Sequence, residues 1–555
     1  MRVPVELDYE PTLPCLLLRA AEQFKDREFL VDGDRSWTFA DVEEESAQVA
    51  LGLLALGVGK GSRVAVLMPN GPSWVVSWLA AARIGALTVP LSTFYQAREL
   101  SWALRHNDID TLLVSARYLK HDYVARLEEA LPGLRESTST TLHLHSHPYL
   151  RRIVVWDGCD RAWGMSGPDD VVRSASGIRE LDRAFLAEVE RNVAPADDLV
   201  TICTSGSSAQ PKAVVHMHGT VVRTTAAFLD YIDVRPDDRT YCGQPFFWVG
   251  GLNVNLLAAM HLGMALVFSP SPDPETVLGV IESARVTRLS MWPAQVRALR
   301  EHASSSGRDL SSVRVGFHPR RDEQGNVIPP ERLISSGAGS GLGMTETFGM
   351  HSIEKVANVL PRGKENSWGR HLPSVERRIV DPETGRELPP GELGELYVRG
   401  STMMRGYYKI EPHETFTRDG FFATGDLCTI DEDDHLYFHG RRTELVKVAG
   451  ANVAPREVEL VAESYEQVQE AVVFGLPDEV KGEIVVCVVV PAAAHEVDPN
   501  GLRARLRQDL SAYKVPEVVI TMGFDEIPRT ASAKPPKPKL REIVSAQLGR
   551  PATRP

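Results

Sequence analysis

Arg63–Leu91 reads RVAVLMPNGPSWVVSWLAAARIGALTVPL, and the order of residue types along it sets the fold. Arg63–Met68 (RVAVLM) is a short apolar run, which predicts a buried strand. Trp74–Ile84 predicts a buried helix, and Leu87–Leu91 a second strand. Strands of a parallel sheet are covered on both faces and read as unbroken apolar runs. Strand, helix, strand in this order therefore predicts a parallel α/β sheet. Upstream, Ser46–Leu56 (SAQVALGLLAL) carries Ala and Leu at helical spacing and predicts another helix. Arg83, Gly85 and Pro90 interrupt the stretch, which argues against a membrane span.

Further along, the alternation continues, and near residue 440 its character changes. Glu459–Leu476 reads as a helix then a strand, Glu483–Val490 (EIVVCVVV) as a strand and Leu502–Leu510 as a helix. About 110 residues suffice for a small separate domain. The fold class expected is thus α/β: a large N-terminal domain of stacked α/β subdomains and a smaller, mobile α+β C-terminal domain. The proline-rich Lys534–Lys539 (KPPKPK) is expected to be extended and exposed. Ser137–His147 (STSTTLHLHSH) would place His143, His145 and His147 on one face if it were a strand. With no carboxylate or cysteine beside them, a polar surface loop is the reading preferred over a metal site.

Of the 555 residues, 61 are Lys or Arg and 74 Asp or Glu, a formal net charge of −13. That balance argues against a general nucleic-acid binder, which would show a basic footprint. The six cysteines form no CxxC pair and are widely spaced. A disulfide framework or zinc site is therefore not expected, and a reducing, cytoplasmic setting is. The opening MRVPVELDYEP has no apolar core and does not read as a secretory leader.

Thr204–Lys212 reads TSGSSAQPK and follows LVTIC, an expected strand. Hydroxyls and a glycine on a turn can surround phosphate oxygens, and Lys212 adds a positive charge. No glycine precedes the lysine, so this is not a Walker A loop. Taken alone, the segment reads equally well as a solvated serine-rich turn. Further motifs follow: Gly343-Met344-Thr345-Glu346, Thr424-Gly425-Asp426, Gly440-Arg441 with Lys447, Gly450, Pro455 and Glu459, Tyr513-Lys514-Val515-Pro516, and Pro528, Thr530 and Lys534. Together, and in this order, they resemble the acyl-adenylate-forming superfamily, which includes acyl-CoA synthetases, luciferases and peptide-synthetase adenylation domains. The resemblance extends to Pro69–Pro90 and so covers nearly the whole chain.

The resemblance implies an ATP-dependent acid–thiol ligase using ATP, Mg²⁺ and coenzyme A. A carboxylic acid is adenylated with loss of pyrophosphate, then passed to a thiol with loss of AMP. It implies an adenylation domain over residues 1–441 and a mobile domain over 442–555 carrying the catalytic lysine. Thr204, Ser205, Gly206, Ser207, Ser208 and Lys212 would hold the β- and γ-phosphates. Thr345 would contact the α-phosphate, and Glu346 would bind Mg²⁺, a hard cation suited to carboxylate and phosphate oxygens. Asp426 and Arg441 would hold the ribose and Phe438 would line the nucleotide pocket, with Leu342, Gly343 and Met344 beside it. Lys534 would bridge the attacking carboxylate and the α-phosphate, as a compact, mobile point charge can. Thr443 would be the hinge, and Lys447 and Gly450 would serve the nucleotide and thiol side. Gly316, within Val315–Pro319, stands where the family has a glycine-rich adenine segment, a place for which Ser336–Gly339 competes.

The chain departs from the family pattern at Ser208, Ala209, Ala213, Leu342, Thr443 and Ala533, while the charged positions are kept. An active enzyme with altered loop dynamics or ATP affinity is expected. Phe247, Trp248, Gly250 and Gly251 lie in a segment resembling the acid pocket of acyl-CoA synthetases. They carry no charge to pair an amine, so the acid expected is hydrophobic: fatty, terpenoid, steroid-derived or aryl. Three core aromatics, Phe246, Phe247 and Trp248, would read the same way. A separate carrier protein could replace coenzyme A as acceptor, a homodimer is compatible with the sequence, and a non-catalytic nucleotide binder is the remaining alternative.

Overall fold

The computed structural model describes residues 6–204, 211–291, 293–316, 341–355, 363–364, 367–448, 451–478, 481–493, 495–510, 514–530 and 535–552. Contacts divide the chain into two units. The first comprises Met1–Glu365, His371–Glu376 and Arg399–Gly420, the second Asn366–Arg370, Arg377–Val398 and Phe421–Pro555. Residue 441, the boundary the sequence suggests, lies in the second unit.

The first unit is built on two sheets. Arg63–Leu67 and Leu87–Pro90 are adjacent parallel strands, in register from Arg63↔Leu87 to Val66↔Pro90. Thr111–Val114, Arg152–Val155 and Gly164–Ser166 extend the sheet on one side, all parallel. On the other side comes Asp198–Thr204, parallel to Leu87–Pro90, then Lys212–Met217 and Gly406–Tyr407, both antiparallel. A second, five-stranded sheet runs Arg288–Ser290, Arg239–Cys242, Ala265–Phe268 and Glu28–Asp32, each parallel to the next, and ends in the antiparallel hairpin strand Arg35–Thr38. Gly33, at φ +60°, makes that tight turn accessible.

One core joins the two sheets: Phe29 and Leu30 from one, Val64, Val66 and Leu199 from the other, with Trp74, Trp78 and Leu79 of helix Pro72–Arg83. That helix is apolar all round because it is buried all round. Trp78 Nε1 donates to Thr88 Oγ1 at 2.8 Å, and Thr88 Oγ1 donates to Leu199 O at 2.8 Å. Helix and two strands are thereby pinned where the strand Asp198–Thr204 begins.

Arg83, in the last turn of the helix, is fully buried. Its Nε donates to Glu190 at 2.5 Å and its Nη2 to Glu43 at 2.5 Å, while its Nη1 donates to Glu43 O and Ser46 Oγ, each at 2.9 Å. Arg183 also reaches Glu43, at 2.7 Å. Burial raises the Glu43 carboxyl, but the hydrogen bond from Arg183 and the charge of Arg83 outweigh it and hold the group below its ordinary range. At Glu190 burial wins and pushes the carboxyl up against the pull of Arg83. The residue that breaks the apolar run in the sequence is thus the knot of three helices.

The second unit contains the strands Phe422–Ile430 and Leu436–Arg441, antiparallel to each other. It also holds a five-stranded sheet centred on Gly482–Pro491, flanked by Val468–Asp478, Val446–Val448 and Val518–Thr521. Successive strand residues face opposite sides. Val485, Cys487 and Val489 enter one core, and Ile484, Val486, Val488 and Val490 another. A strand buried on both faces explains the unbroken EIVVCVVV.

Two local expectations are corrected or refined. Lys534–Lys539 is not an extended, exposed run over its described part: helix Lys537–Leu548 starts there, with Pro536 at its N-cap and Pro538 in the first turn. Proline fits this place because a first-turn N–H has no helical partner to lose. Lys537 is half-buried and bonds Glu459 at 2.9 Å. The histidine patch is a turn with a Leu144↔His147 bridge, in which His147 is buried against Ser101 O at 2.9 Å while His143 and His145 are exposed.

Candidate active site

The strands Asp198–Thr204 and Lys212–Met217 form a hairpin whose last register pair is Thr204↔Lys212. The loop expected to cradle phosphate spans that gap; Ser205, Gly206, Ser207 and Ser208 lie outside the described residues. Ala213 is an ordinary strand residue paired with Cys203, so alanine in place of the family's glycine meets no backbone obstacle. The exposed Lys212 places Nζ 4.5 Å above the ring of Tyr407.

Thr345 and Glu346 stand on a 3₁₀ turn, Thr345–Thr347, between the antiparallel strands Gly341–Met344 and Gly349–Ile353. The turn has no room to spare. A Cβ on Gly343 would fall 2.2 Å from Gly349 O, so the motif glycine is required for close approach. Phe348 adopts φ +51° with its side chain fully buried. A bulky residue in the left-handed region stores strain that the surroundings must hold. They do so through Asn253 Nδ2, which donates to Phe348 O at 2.8 Å, and through the ring of His216, 5.0 Å away and edge-on.

His216 is fully buried, and burial pushes its ring down to about 4. The ring is therefore neutral near pH 7. Its Nε2 lies 2.7 Å from Thr345 O, which assigns the proton to Nε2 as donor. Met404 N donates to Glu346 O at 2.8 Å, and Tyr407 Oη donates to Glu346 Oε1 at 2.7 Å. Lys212 and the pair Thr345-Glu346, predicted from two separate motifs, are thus brought together beside the antiparallel edge of the eight-stranded sheet. Leu342 and Met344 are half-buried on the same hairpin. Gly316 has φ +109°, and a Cβ there would fall 2.8 Å from Leu289 Cβ; the rest of Val315–Pro319 beyond it, and Ser336–Gly339, lie outside the described residues.

The segment expected to line an acid pocket divides. Phe246 is a core residue, packed on Trp74 at 5.0 Å and Phe268 at 6.0 Å. Phe247 and Trp248 lie 5.1 Å apart and both meet Phe94, at 5.8 and 6.2 Å. Phe94 is 49% exposed. Its loop, Ser92–Gln96 (STFYQ), gave no sequence signal beyond two adjacent aromatics among polar residues. Gly251 is needed because a Cβ there would sit 2.1 Å from Pro245 O, and at Gly250 one would sit 2.9 Å from Gln244. Asn70 clamps the segment by donating to Cys242 O and Gln244 O, at 3.2 and 2.8 Å, and accepting from Phe246 N at 2.9 Å. A surface concavity of about 520 Å³ lined by Lys25, Glu43, Glu44 and Arg183 involves none of these residues.

In the second unit Asp426 is 2% exposed, inside a strand and not on a turn. It is the register partner of Arg441, whose Nε lies 2.6 Å from Oδ1. Arg441 Nη1 also donates to Thr424 O at 3.0 Å. Gly425, at φ +76°, gives its N–H to Glu395, which also pairs with Arg442 at 3.1 Å. Phe438 is half-buried on the neighbouring strand. Thr443 lies in the 3₁₀ turn Arg442–Glu444 and Lys447 in Val446–Val448. Gly450 and Lys534 lie outside the described residues.

Family models match the chain twice: the AMP-binding enzyme model over residues 17–408 and the AMP-binding enzyme C-terminal domain over 457–534. A Bacillus subtilis (strain 168) protein named "Putative acyl-CoA synthetase YngI" is 30% identical over 538 residues, 96% of each chain. The indoleacetate–CoA ligase of Aromatoleum aromaticum is 29% identical over 523 residues, covering 92% of this chain and 94% of its own. Among solved structures, ATP-bound MatB from Rhodopseudomonas palustris superposes with a TM-score of 0.75 at 24% identity, over 96% of this chain and 99% of that one.

Proposed function

The chain belongs to the AMP-binding enzyme family as an acyl-CoA-synthetase-like, adenylate-forming ligase, and from that premise we propose that it activates a bulky hydrophobic acid for transfer to coenzyme A. The observation that carries this reading is the convergence of Lys212, Thr345 and Glu346 at one sheet edge. The first half-reaction gathers negative charge at phosphorus, so fixed donors and cations dominate it. Lys212 and the loop from Thr204 hold the outer phosphates, and Thr345 addresses the α-phosphate. Glu346 fits a magnesium ion: it is a hard carboxylate, and the oxygen not bonded to Tyr407 takes no hydrogen bond from a described residue. The ion, when bound, neutralises phosphate charge. Asp426, oriented by Arg441, accepts from the ribose hydroxyls.

The aromatic group of Phe94, Phe247 and Trp248 offers an acid no ionic partner, which favours a fatty, terpenoid, steroid-derived or aryl acid. Lys534 supplies the cation for adenylation. The functional boundary falls at 441/442, and rotation at Thr443 exchanges Lys534 for the Gly450 side in the thiol step. No helix of the described residues is long and apolar enough to cross a membrane. The six unpaired cysteines suit the reducing cytoplasm where ATP and coenzyme A are met.

The test is pyrophosphate release across a panel of acids, with and without coenzyme A. Release with an apolar acid and consumption of coenzyme A are expected. Release without thiol consumption, rescued by a carrier protein, assigns the acceptor instead to phosphopantetheine. Silence with every acid makes the chain a nucleotide binder. A second expectation concerns Asp426→Ala. Hydrogen bonds to a charged acceptor are worth about 1.5–3 kcal/mol, so KM for ATP should rise roughly ten- to a hundredfold with KM for the acid little changed. Equal changes in both would remove Asp426 from the nucleotide.

A further inference from the structure

We propose that Tyr407 is the positioning residue of this site, orienting Glu346 with its hydroxyl while its ring seats Lys212 apart from that carboxylate. The inference rests on the reading of Glu346 as the cation ligand.

Tyr407 is where it is because a short segment joins two elements that chemistry must hold in register. Gly406–Tyr407 adds an edge strand to Lys212–Met217, with Val214↔Tyr407 and Val215↔Gly406 as partners. Arg405 N donates to Val215 O and Tyr408 N to Ala213 O, each at 2.8 Å. Arg405 also grips Asp198 at 2.8 Å, at the far end of the phosphate-loop hairpin. From the same segment Met404 N reaches Glu346 O at 2.8 Å. The backbone thus sets the separation of Lys212 from the Glu346 turn, and the buried Tyr407 side chain, 8% exposed, fills that separation.

Its chemistry suits the task. A phenol is a neutral donor. It fixes one carboxylate oxygen at 2.7 Å without neutralising the charge, and leaves the other oxygen to a cation. A lysine in hydrogen-bond reach would form an ion pair and compete with the metal. Lys212 is the nearby candidate, but it rests over the phenol ring at 4.5 Å, and among the described residues it and Glu346 form no ion pair with each other. Cation–π attraction to the ring face holds an ammonium without taking its charge. One side chain therefore keeps an anion and a cation from cancelling each other, and each stays available to its own part of a metal–nucleotide ligand.

The experiment measures binding of Mn²⁺ with α,β-methylene-ATP, followed by electron paramagnetic resonance of free Mn²⁺, alongside binding of the same nucleotide in EDTA. Tyr407→Phe keeps the ring and removes the hydroxyl. Loss of a partner that orients a metal ligand costs roughly ten- to a hundredfold in metal affinity, so Mn²⁺ binding should weaken by that factor while metal-free nucleotide binding and Tm hold. Tyr407→Leu removes the ring as well and should weaken metal-free nucleotide binding too. Glu346→Gln separates the two ideas. If it abolishes Mn²⁺ binding while Tyr407→Phe leaves affinity within about twofold of the parent, the inference on Tyr407 is overturned and the reading of Glu346 stands. If Glu346→Gln itself leaves Mn²⁺ affinity unchanged, the reading of Glu346 falls, and the inference with it.

Discussion

Replacing Lys534 with alanine is expected to lower acyl-adenylate formation roughly a hundred- to a thousandfold, the loss found when one preorganised group facing developing charge is removed. The substrates carry a carboxylate and a triphosphate, anions that must meet. Only a cation between them offsets their repulsion at the reacting atoms. In the thiol step those charges no longer have to be forced together, so consumption of preformed acyl-adenylate by coenzyme A should be largely spared. The split is what matters. Pyrophosphate release in the absence of thiol, and thioester formation from supplied adenylate, are measured separately on one preparation. Equal damage to both half-reactions would show that Lys534 shapes the protein and does not serve adenylation.

The second large effect is on stability. Arg83→Met should cost the first unit about 3–5 kcal/mol, because removing one partner of a buried network leaves uncompensated charge. Glu190 is hydrogen-bonded to the guanidinium at 2.5 Å, and Glu43 loses one of its two arginines. Methionine fills the volume but offers no donor. The exposed pair Arg19–Asp8, with side chains 43% and 70% exposed, gives the contrast: Arg19→Met should change stability by less than about 1 kcal/mol. Urea unfolding of both variants reads the difference. Adding Glu190→Gln to Arg83→Met should recover part of the loss. A loss at Arg83 as small as at Arg19 would mean that water already reaches the cluster.

Legibility from sequence followed the distance over which each residue's partner lies. The strands Arg63–Leu67 and Gly482–Pro491 were readable because burial on both faces writes itself into consecutive residues. The Gly343–Glu346 turn was readable as a motif, and its glycine proved necessary for a backbone approach a few residues away. Tyr407 was not readable: its hydroxyl partner is 61 positions earlier in the chain. His216 sits in an apolar strand run, where a histidine looks like an exception until Thr345 O supplies its partner, 129 positions away. In the sequence Arg83 is only an interruption, since its carboxylates come from two other helices. KPPKPK misleads because proline disfavours a helix interior, whereas in a first turn it is compatible with the helix that follows.

The opposition of Thr204 and Lys212 across the hairpin has an evolutionary consequence. The segment between them begins and ends at one rung of a ladder, so exchanging it leaves every other rung in place. Natural variation can rewrite that stretch without renegotiating the sheet, and a laboratory can transplant a relative's version between the same two residues. The substitutions at Ser208 and Ala209 can therefore be reversed as one cassette, separating what this chain inherited from what it tuned.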